Sequence, residues 1–390
     1  MAIKLTITPE LMEAISQATV FSSKADTKLA FKGLLCIEKD EEGDTLNVKS
    51  TGGAGQTFCA TVPAVDYKGD EPLKIQVDSS VLKPILSTLP NSSAMTVEEN
   101  KIVLKHGKKS VKVNCLSDES AKAMDYLFTT AGDELVEQAT LPLTTLVDGI
   151  KEVLYAKGDL YTTQTIAMGV SVILKDGKLT IMAMDGHRIG QVSNPIEGQE
   201  EGFYLLPSDI ATFLASCKWT KEQEEAQAVL LGSDKRFGVK VANLEIAATS
   251  LHASAFDVDS VINRVADGSK FVFEVEKMNE LIKQLIPLMP RDNRRSPMSI
   301  QANEDGLTCR FSSSLGEVEE TIEGEITLSE KDNVTQNNVV GVDVMKLKDA
   351  ISAFEGSVEL QTDFSAGSMP LIFRDPENEG RTHVLLPVRL

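Results

Sequence analysis

The heptapeptide MDGHRIG, Met184 to Gly190, places an acid, an imidazole and a guanidinium within four consecutive positions. Imidazole moves protons near neutral pH, a carboxylate can orient it, and a guanidinium can hold an oxyanion. Asp185, His187 and Arg188 are therefore candidates for an acid–base centre. The same residues also suit a hairpin, because Asp-Gly favours a tight turn and His187-Arg188 would open the return strand. A third role is binding, with the polar groups recognising a partner. The rest of the chain offers catalysis little support. The four histidines are His106, His187, His252 and His383, and no HxH or HExxH pair occurs, which removes the usual zinc spacings. There is no GxSxG elbow. Gly107-Lys108-Lys109-Ser110 resembles the tail of a phosphate loop, but the residues before it lack the required glycine and read as a strand. No catalytic residue, metal or cofactor is expected.

The bulk composition sets the frame. A chain of 390 residues suggests two or three domains. Its 42% hydrophobic content can build cores. No apolar run is long enough for a transmembrane helix, and the N-terminus lacks a basic region followed by an apolar block. The five cysteines, Cys36, Cys59, Cys115, Cys217 and Cys309, are scattered and form no CxxC pair. That fits a reducing cytosol, so a cytoplasmic protein with no membrane partner is expected. The net charge of −19 argues against a simple nucleic-acid coat. Total charge and its placement are separate questions.

Six segments read as short amphipathic helices. The first, TPELMEAISQATVF, has Thr8 as cap, Pro9 at the first helical position, and Leu11, Ile15 and Ala18 on one face. The second, DSSVLKPILSTL, has Asp78 or Ser80 as cap and Val81, Ile85 and Leu89 inward, with Pro84 an awkward interior residue. The others centre on Leu146, Ile150 and Val153; on Ile210, Phe213, Leu214 and Cys217; on Met278, Leu281, Ile282 and Leu285; and on Leu347, Ile351 and Phe354, capped by Asp343 and stopped by Gly356. The first inward residues, Leu11, Val81, Leu146, Ile210, Met278 and Leu347, lie 70, 65, 64, 68 and 69 residues apart. Such a period is a statement about architecture. Between the helices the pattern alternates apolar and polar, broken by Asp176-Gly177 and Asp185-Gly186, as in antiparallel hairpins. The expected fold class is α+β. Each unit is one strand, one helix and three strands, and two units make a domain. The three domains span about residues 1–133, 134–265 and 266–390. Strands this long in small units leave edges that must be covered, across domain or subunit boundaries.

Lysines recur in or just after the helices, and Arg291, Arg294 and Arg295 come after the fifth. Acids share the same helices, so on composition alone this is a solvated mixed face. The C-terminus, THVLLPVRL, ends apolar and proline-broken, as a last core strand or as a surface held for a partner.

The sixfold period, the DGHRIG segment in the second domain and the terminal LLPVRL together resemble the bacterial sliding-clamp family, the β subunits of DNA polymerase III. The resemblance spans the whole chain in repeat layout and is specific in these two motifs. It implies a processivity factor with no enzymatic activity. Two chains would close head to tail into a ring, each forming half, with helices lining the hole and strands outside. Double-stranded DNA would run through without sequence-specific contacts. The implied DNA-facing residues are Lys24, Lys28, Lys83, Lys151, Lys157, Lys218, Lys221, Lys277, Lys283, Arg291, Arg294, Arg295 and Lys346. The implied partners are a replicative polymerase, a clamp loader and other clamp-motif proteins. Their peptides would enter a pocket between domains 2 and 3. By position that pocket comprises Ala167, Met184, Gly186, His187, Arg188, Ile189, Val261, Ile262, Val384, Leu385, Leu386, Pro387, Val388 and Arg389, with Arg188 and Arg389 framing it. The implied dimer contacts are Val111 and Val113 on one side and Ile286 and Leu288 on the other; the alternation pattern allows both pairs to be core instead. The chain departs from the family at Asp257, where proline is expected, and before Val261, where a basic residue is expected. Basic residues opening the second and fourth helices are replaced by DSS and PSD. A phage or mobile-element clamp would suit such divergence. A monomeric scaffold with this fold, and an enzyme centred on Asp185, His187 and Arg188, are the alternatives.

Overall fold

The computed structural model describes residues 3–24, 33–39, 44–53, 55–69, 73–98, 100–116, 122, 134–158, 164–198, 201–290, 297–303, 306–329, 339–365 and 367–390. Along these residues one order recurs six times: strand, helix, three strands. The first unit is β1 (Ile3–Thr6), α1 (Pro9–Lys24), β2 (Leu34–Lys39), β3 (Thr45–Gly53) and β4 (Gln56–Pro63). The second is β5 (Leu73–Asp78), α2 (Ser79–Leu86), β6 (Ala94–Glu98), β7 (Lys101–His106) and β8 (Lys109–Asn114). The third is β9 (Val136–Pro142), α3 (Leu143–Val153), β10 (Gly169–Lys175), β11 (Lys178–Met184) and β12 (Arg188–Pro195), with 3₁₀ turns at Leu154–Ala156 and Thr165–Met168. The fourth holds the short β13 (Glu197–Gly198), β14 (Gly202–Pro207), α4 (Ser208–Ser216), a single turn α5 (Lys221–Glu225), β15 (Gln227–Gly232), β16 (Arg236–Val241) and β17 (Leu244–Thr249). The fifth opens with the turn α6 (Asp259–Ile262), then β18 (Ser269–Glu274), α7 (Val275–Leu285), β19 (Pro297–Asn303), β20 (Gly306–Ser313), β21 (Gly316–Ile322) and β22 (Glu325–Thr327). The sixth is β23 (Val340–Asp343), α8 (Val344–Ile351), β24 (Ser357–Thr362), β25 (Leu371–Arg374) and β26 (Arg381–Leu385).

The helices start where their capping side chains dictate. Thr8 Oγ1 accepts the Leu11 amide at 3.2 Å. The Asp78 carboxylate accepts the Ser80 amide at 2.8 Å. The Asp343 carboxylate takes both Met345 and Lys346 amides at 3.0 Å. Each satisfies donors that the first helical turn leaves orphaned. The inward faces of α1, α3, α7 and α8 match the spacing of their apolar residues, and Leu11, Ile15, Leu146, Ile150, Met278, Ile282, Leu347 and Ile351 are all buried. The second helix departs from expectation. Its buried residues are Ser79, Leu82 and Leu86, while Val81 is 46% exposed. The Asp78 cap fixes the start, and counting from it turns Leu82 and Leu86 inward. Pro84 is tolerated because the helix ends two residues later and its last carbonyls are taken by Ser87, Thr88 and Leu89 amides. In the fourth unit Cys217 is only half-buried.

Contacts divide the chain into two compact units, Met1–Val147 with Ile196–His252, and Asp148–Pro195 with Ala253–Leu390. The division falls inside the second of the three expected domains. The first unit holds the antiparallel sheet β1-β6-β7-β8 and the larger sheet β13-β9-β15-β16-β17-β4-β3-β2-β5. Phe21 of α1, Phe58 of β4 and Phe213 of α4 meet in its core, the first and last edge-on at 5.2 Å. The second unit holds the sheet β21-β20-β19-β23 and a larger one in which β10-β11-β12-β26-β25-β24-β18-β22 are neighbours. Its main core packs α7 and α8 with strands of both sheets, from Phe271 and Met298 to Leu360 and Leu385. Among the described residues no helix is long and apolar enough to cross a membrane.

Candidate functional site

The DGHRIG segment and the C-terminal THVLL segment are neighbours in the second unit. Strand β12 pairs antiparallel with β26, and Arg188 faces Leu385, Ile189 faces Val384, and Gly190 faces His383. Past the strand end, the Leu386 amide donates to the His187 carbonyl at 2.8 Å. Residues nearly 200 positions apart thus share one continuous ladder.

The β11–β12 turn is built around Asp185. Met184 faces Ile189 across the hairpin, and the Asp185 amide donates to the Arg188 carbonyl. Gly186 adopts φ +83°, a left-handed conformation that disfavours side chains. The Asp185 carboxylate accepts the His187 amide at 2.9 Å and the Arg188 amide at 3.0 Å. Its second oxygen takes Arg188 Nε at 2.9 Å. Arg188 Nη1 reaches Asp349 of α8 at 2.7 Å. The guanidinium lies 5.2 Å from the Tyr155 ring centroid, within cation–π range. Arg188 is therefore fully engaged inside the protein and does not stand free at the rim. His187 and Gly186 are exposed.

An apolar cluster lies beside this turn. Met182, Met184, Ile189, Val258, Val265, Ile372 and Val384 are buried, with Ile166, Phe256, Val261, Ile262 and Met369 packed against them and partly open. Of the residues carried over from the resemblance, Met184, Ile189, Val261, Ile262 and Val384 meet here. Ala167 is fully buried next to Ile166. Leu385 is different: the alternation of β26 turns it to the α7–α8 core. Leu386 is exposed, and Pro387 and Val388 are half-buried. From there the tail turns towards β23, where the Val388 amide donates to the Gly341 carbonyl at 2.8 Å. Arg389 is exposed beyond that contact. Sequence reasoning missed Ile166, Met182, Phe256, Val258, Val265, Met369 and Ile372. Only Met182, two residues before Met184 on the same strand face, carried a readable signal. Asp257 has a clear local role, since its carboxylate accepts the Ser260 amide at 3.2 Å at the start of α6.

A half-buried polar chain centred on the fully buried His383 lies on the other face of β26, where His383 meets Phe354 of the α7–α8 core. The Tyr155 hydroxyl lies 2.6 Å from His383 Nδ1. His383 Nε2 lies 3.3 Å from Glu152 Oε1, and Arg381 pairs with Glu152 at 2.7 Å and with Asp375 at 3.2 Å. Burial pushes the His383 pKa down against the opposing pull of Glu152, so the imidazole is held neutral. Burial pushes the Tyr155 phenol up. These groups hold the ends of α3 and β26 together. Among the described residues no group of His, Cys, Asp and Glu could hold a metal.

The expected DNA-facing residues split. Lys28, Arg291, Arg294 and Arg295 lie outside the described residues, and Lys24 closes α1. Lys151, Lys221 and Lys277 sit near carboxylates of Asp148, Glu225 and Glu323, at 3.1, 3.6 and 3.7 Å. Lys218 and Lys283 are exposed, and Lys83, Lys157 and Lys346 are half-buried. Of the expected dimer contacts, Val113 belongs to the core at 4% exposure, Val111 is half-buried, Leu288 packs partly on the α7–α8 core, and Ile286 is 39% exposed.

No family model matches the sequence. The β sliding clamp of Borreliella burgdorferi is 25% identical over 224 residues, which cover 55% of this chain and 53% of that protein. The chain thus spans about half the length of this curated relative. Solved structures align over the whole length. A putative DNA polymerase III β subunit from Eubacterium rectale superposes with a TM-score of 0.83 at 16% identity, covering 100% of both chains. The sliding clamp from Pseudomonas aeruginosa gives 0.82 at 17% identity, and the polymerase III β subunit from Thermotoga maritima 0.81 at 17%, each again over 100% of both chains. The chain has the bacterial sliding-clamp fold, that of the DNA polymerase III β subunits.

Proposed function

We propose that this protein is a non-enzymatic processivity factor: two copies close into a ring that slides on double-stranded DNA in the cytoplasm and docks polymerase, loader and other clamp-motif peptides. The observation that carries this is the order of strand, helix and three strands that recurs six times along the described residues. Three pseudo-domains of two units each are what half a ring of this fold requires. A clamp must not grip, because strong phosphate contacts slow it and base contacts stop it. Sparse helix lysines, several of them tempered by nearby carboxylates, suit that demand. The partly open cluster of Phe256, Val261, Ile262, Ile166 and Met369, with exposed Leu386 and His187 nearby, suits an apolar peptide anchor. For ring closure, β8 and β21 each end a four-stranded sheet. Lys109 and Lys112 lie on one edge, and Glu317, Glu319 and Glu320 on the other. Such edges favour antiparallel pairing between copies, with unlike charges brought together.

The test is retention on nicked circular DNA after loading, compared with the same DNA linearised. The ring predicts stable retention on the circle and rapid loss from the linear form, with a dimer in sedimentation. Equal loss from both would leave a monomeric scaffold as the better account.

A further inference from the structure

The outer face of the β1-β6-β7-β8 sheet carries charge that the helix lysines do not share. Register fixes which side chains stand on it. Lys4 pairs with Thr96, Thr96 with Val103, and Val103 with Lys112, making one row across the sheet. In the next row Lys105 stands between Ala94 and Ser110, and on the other side Lys101 stands between Glu98 and Asn114. The opposite face is apolar, with Leu5, Met95, Val97, Ile102, Leu104 and Val113 buried. Lys4, Lys105 and Lys112 are exposed. Lys68 bridges to Lys4 through the backbone, Lys108 lies in the β7–β8 turn, and Lys109 opens β8. Two acids meet these rows: Glu98 stands in one, and at the β1 end of another Thr6 donates its hydroxyl to the Asp66 carboxylate at 2.8 Å. Glu98 is the one beside the lysines. Lys101 Nζ is 2.9 Å from it, and a hydrogen bond from Lys101, helped by the charges of Lys112 and Lys105, holds its carboxyl below the usual range. In a chain of net charge −19, this face is locally inverted. Protection of sheet edges accounts for Lys4 and Lys112 on the outermost strands. It does not account for Lys101 and Lys105 on the interior strand β7.

We propose that this face is a second nucleic-acid surface, one that binds the phosphate backbone of duplex DNA independently of ring closure. The chemistry selects the occupant. Between the lysines stand Thr96, Ala94, Ser110 and Asn114, all short, and Val103, which is buried at 2% exposure and so is closed to a partner. A peptide is held by apolar anchors, and none projects here. A single strand is held by aromatic stacking, and no aromatic side chain stands in these rows. A duplex needs phosphate contacts alone. Lys101 and Lys105, four residues apart on one strand, lie about 13 Å apart. That length of duplex axis carries about four phosphates on each strand. Lys4 on β1 and Lys101 and Lys105 on β7 lie two strand spacings, about 10 Å, apart across the sheet, so these three lysines meet a patch of backbone of matching size without Lys112, which stands on the edge proposed for ring closure.

The test uses the full chain and a labelled linear duplex of about 20 base pairs, read by fluorescence anisotropy at salt between about 50 and 200 mM. The variant Lys4→Ala/Lys101→Ala/Lys105→Ala leaves the β8 edge intact. It is expected to lose about tenfold in affinity at the lower salt, and to lower the slope of log K against log salt by roughly 2–3. Retention of the variant on circular DNA should be unchanged. Should the triple variant unfold, Lys105→Glu alone, at an exposed site, is expected to weaken binding in the same direction. Unaltered affinity and slope in both variants would overturn the proposal. So would single-stranded DNA or polyglutamate binding this face as tightly as the duplex. A linear duplex needs no closed ring, so failure of the clamp function leaves this experiment decisive, and the converse holds.

Discussion

Asp-Gly occurs twice in the β10–β11–β12 meander, and the two turns differ. At Asp176-Gly177 both residues are left-handed, with φ of 52° and 68°, and Lys175 faces Lys178 directly. This is a two-residue turn whose twist matches its strands, and its side chains are exposed. At Asp185-Gly186 only the glycine is left-handed, and four residues separate the facing pair Met184 and Ile189. Here the aspartate is half-buried and its carboxylate takes two backbone amides and one guanidinium nitrogen. The dipeptide turns the chain in both places. The next residues along the chain decide whether the turn is a plain connection or an anchored platform. Arg188 makes the difference, because it fastens the second turn to Asp349 and lies against Tyr155, both far off in sequence.

The largest break in this comparison is Arg188→Ala. The Arg188 and Asp185 side chains are each 15% exposed, so the substitution leaves a largely buried carboxylate without its cation. A loss of about 2–3 kcal/mol is expected. Lys178→Ala beside the plain turn should stay within about 0.5 kcal/mol. Urea denaturation of both variants gives the two numbers, and similar costs would erase the distinction between the turns.

The fold was legible where a feature is local and repeated. Thr8, Asp78 and Asp343 announced helix starts because a capping side chain acts within three residues. Leu11, Leu146, Met278 and Leu347 announced inward faces because helical spacing needs no tertiary context. Val81 misled because α2 is short: over two turns several faces look apolar, and the Asp78 cap sets which one faces in. Leu385 misled for the strand counterpart of that reason. A run of apolar residues does not say which of two cores each side chain enters, and Val384 and Leu385 enter different ones. Val113 had two open fates, and the inner face of its sheet claimed it. At the site, residue types suggested polar edges offered to a partner. Spacing gave no sign that Arg188 is consumed by Asp349 and Tyr155, because those contacts exist only after the chain has folded. The pairing of β12 with β26 was likewise invisible to periodicity; only the family resemblance put those two motifs side by side.

A smaller effect separates the aspartates. Asp185→Asn keeps an oxygen for the His187 and Arg188 amides but loses the charge opposite Arg188, so about 1 kcal/mol of stability should go. Asp176→Asn should be neutral within about 0.5 kcal/mol, because asparagine tolerates the left-handed conformation and the side chain faces solvent. Melting temperatures of the pair decide it. A larger loss at Asp176 would mean that the plain turn carries hidden structure.

The smallest expected effect concerns His383, which faces Gly190 of β12 and bonds Tyr155 beneath Arg188. It is fully buried and its folded pKa is lowered by that burial. Near pH 7.5 the imidazole is neutral in both states and contributes no pH dependence. As the pH falls through the unfolded value of about 6.5, the unfolded chain takes up a proton that the folded site refuses, so stability falls. Between pH 7.0 and 6.0 this is worth at most roughly 0.7 kcal/mol. His383→Gln removes the titration, so its urea midpoint should drop less than the wild type's over that interval. If instead the wild type gained stability relative to His383→Gln on acidification, Glu152 would be holding a charged imidazole. The chain from Arg381 through Glu152 and His383 to Tyr155 would then support the anchored turn by ion pairing, where the burial of His383 assigns that support to a neutral hydrogen-bonded imidazole.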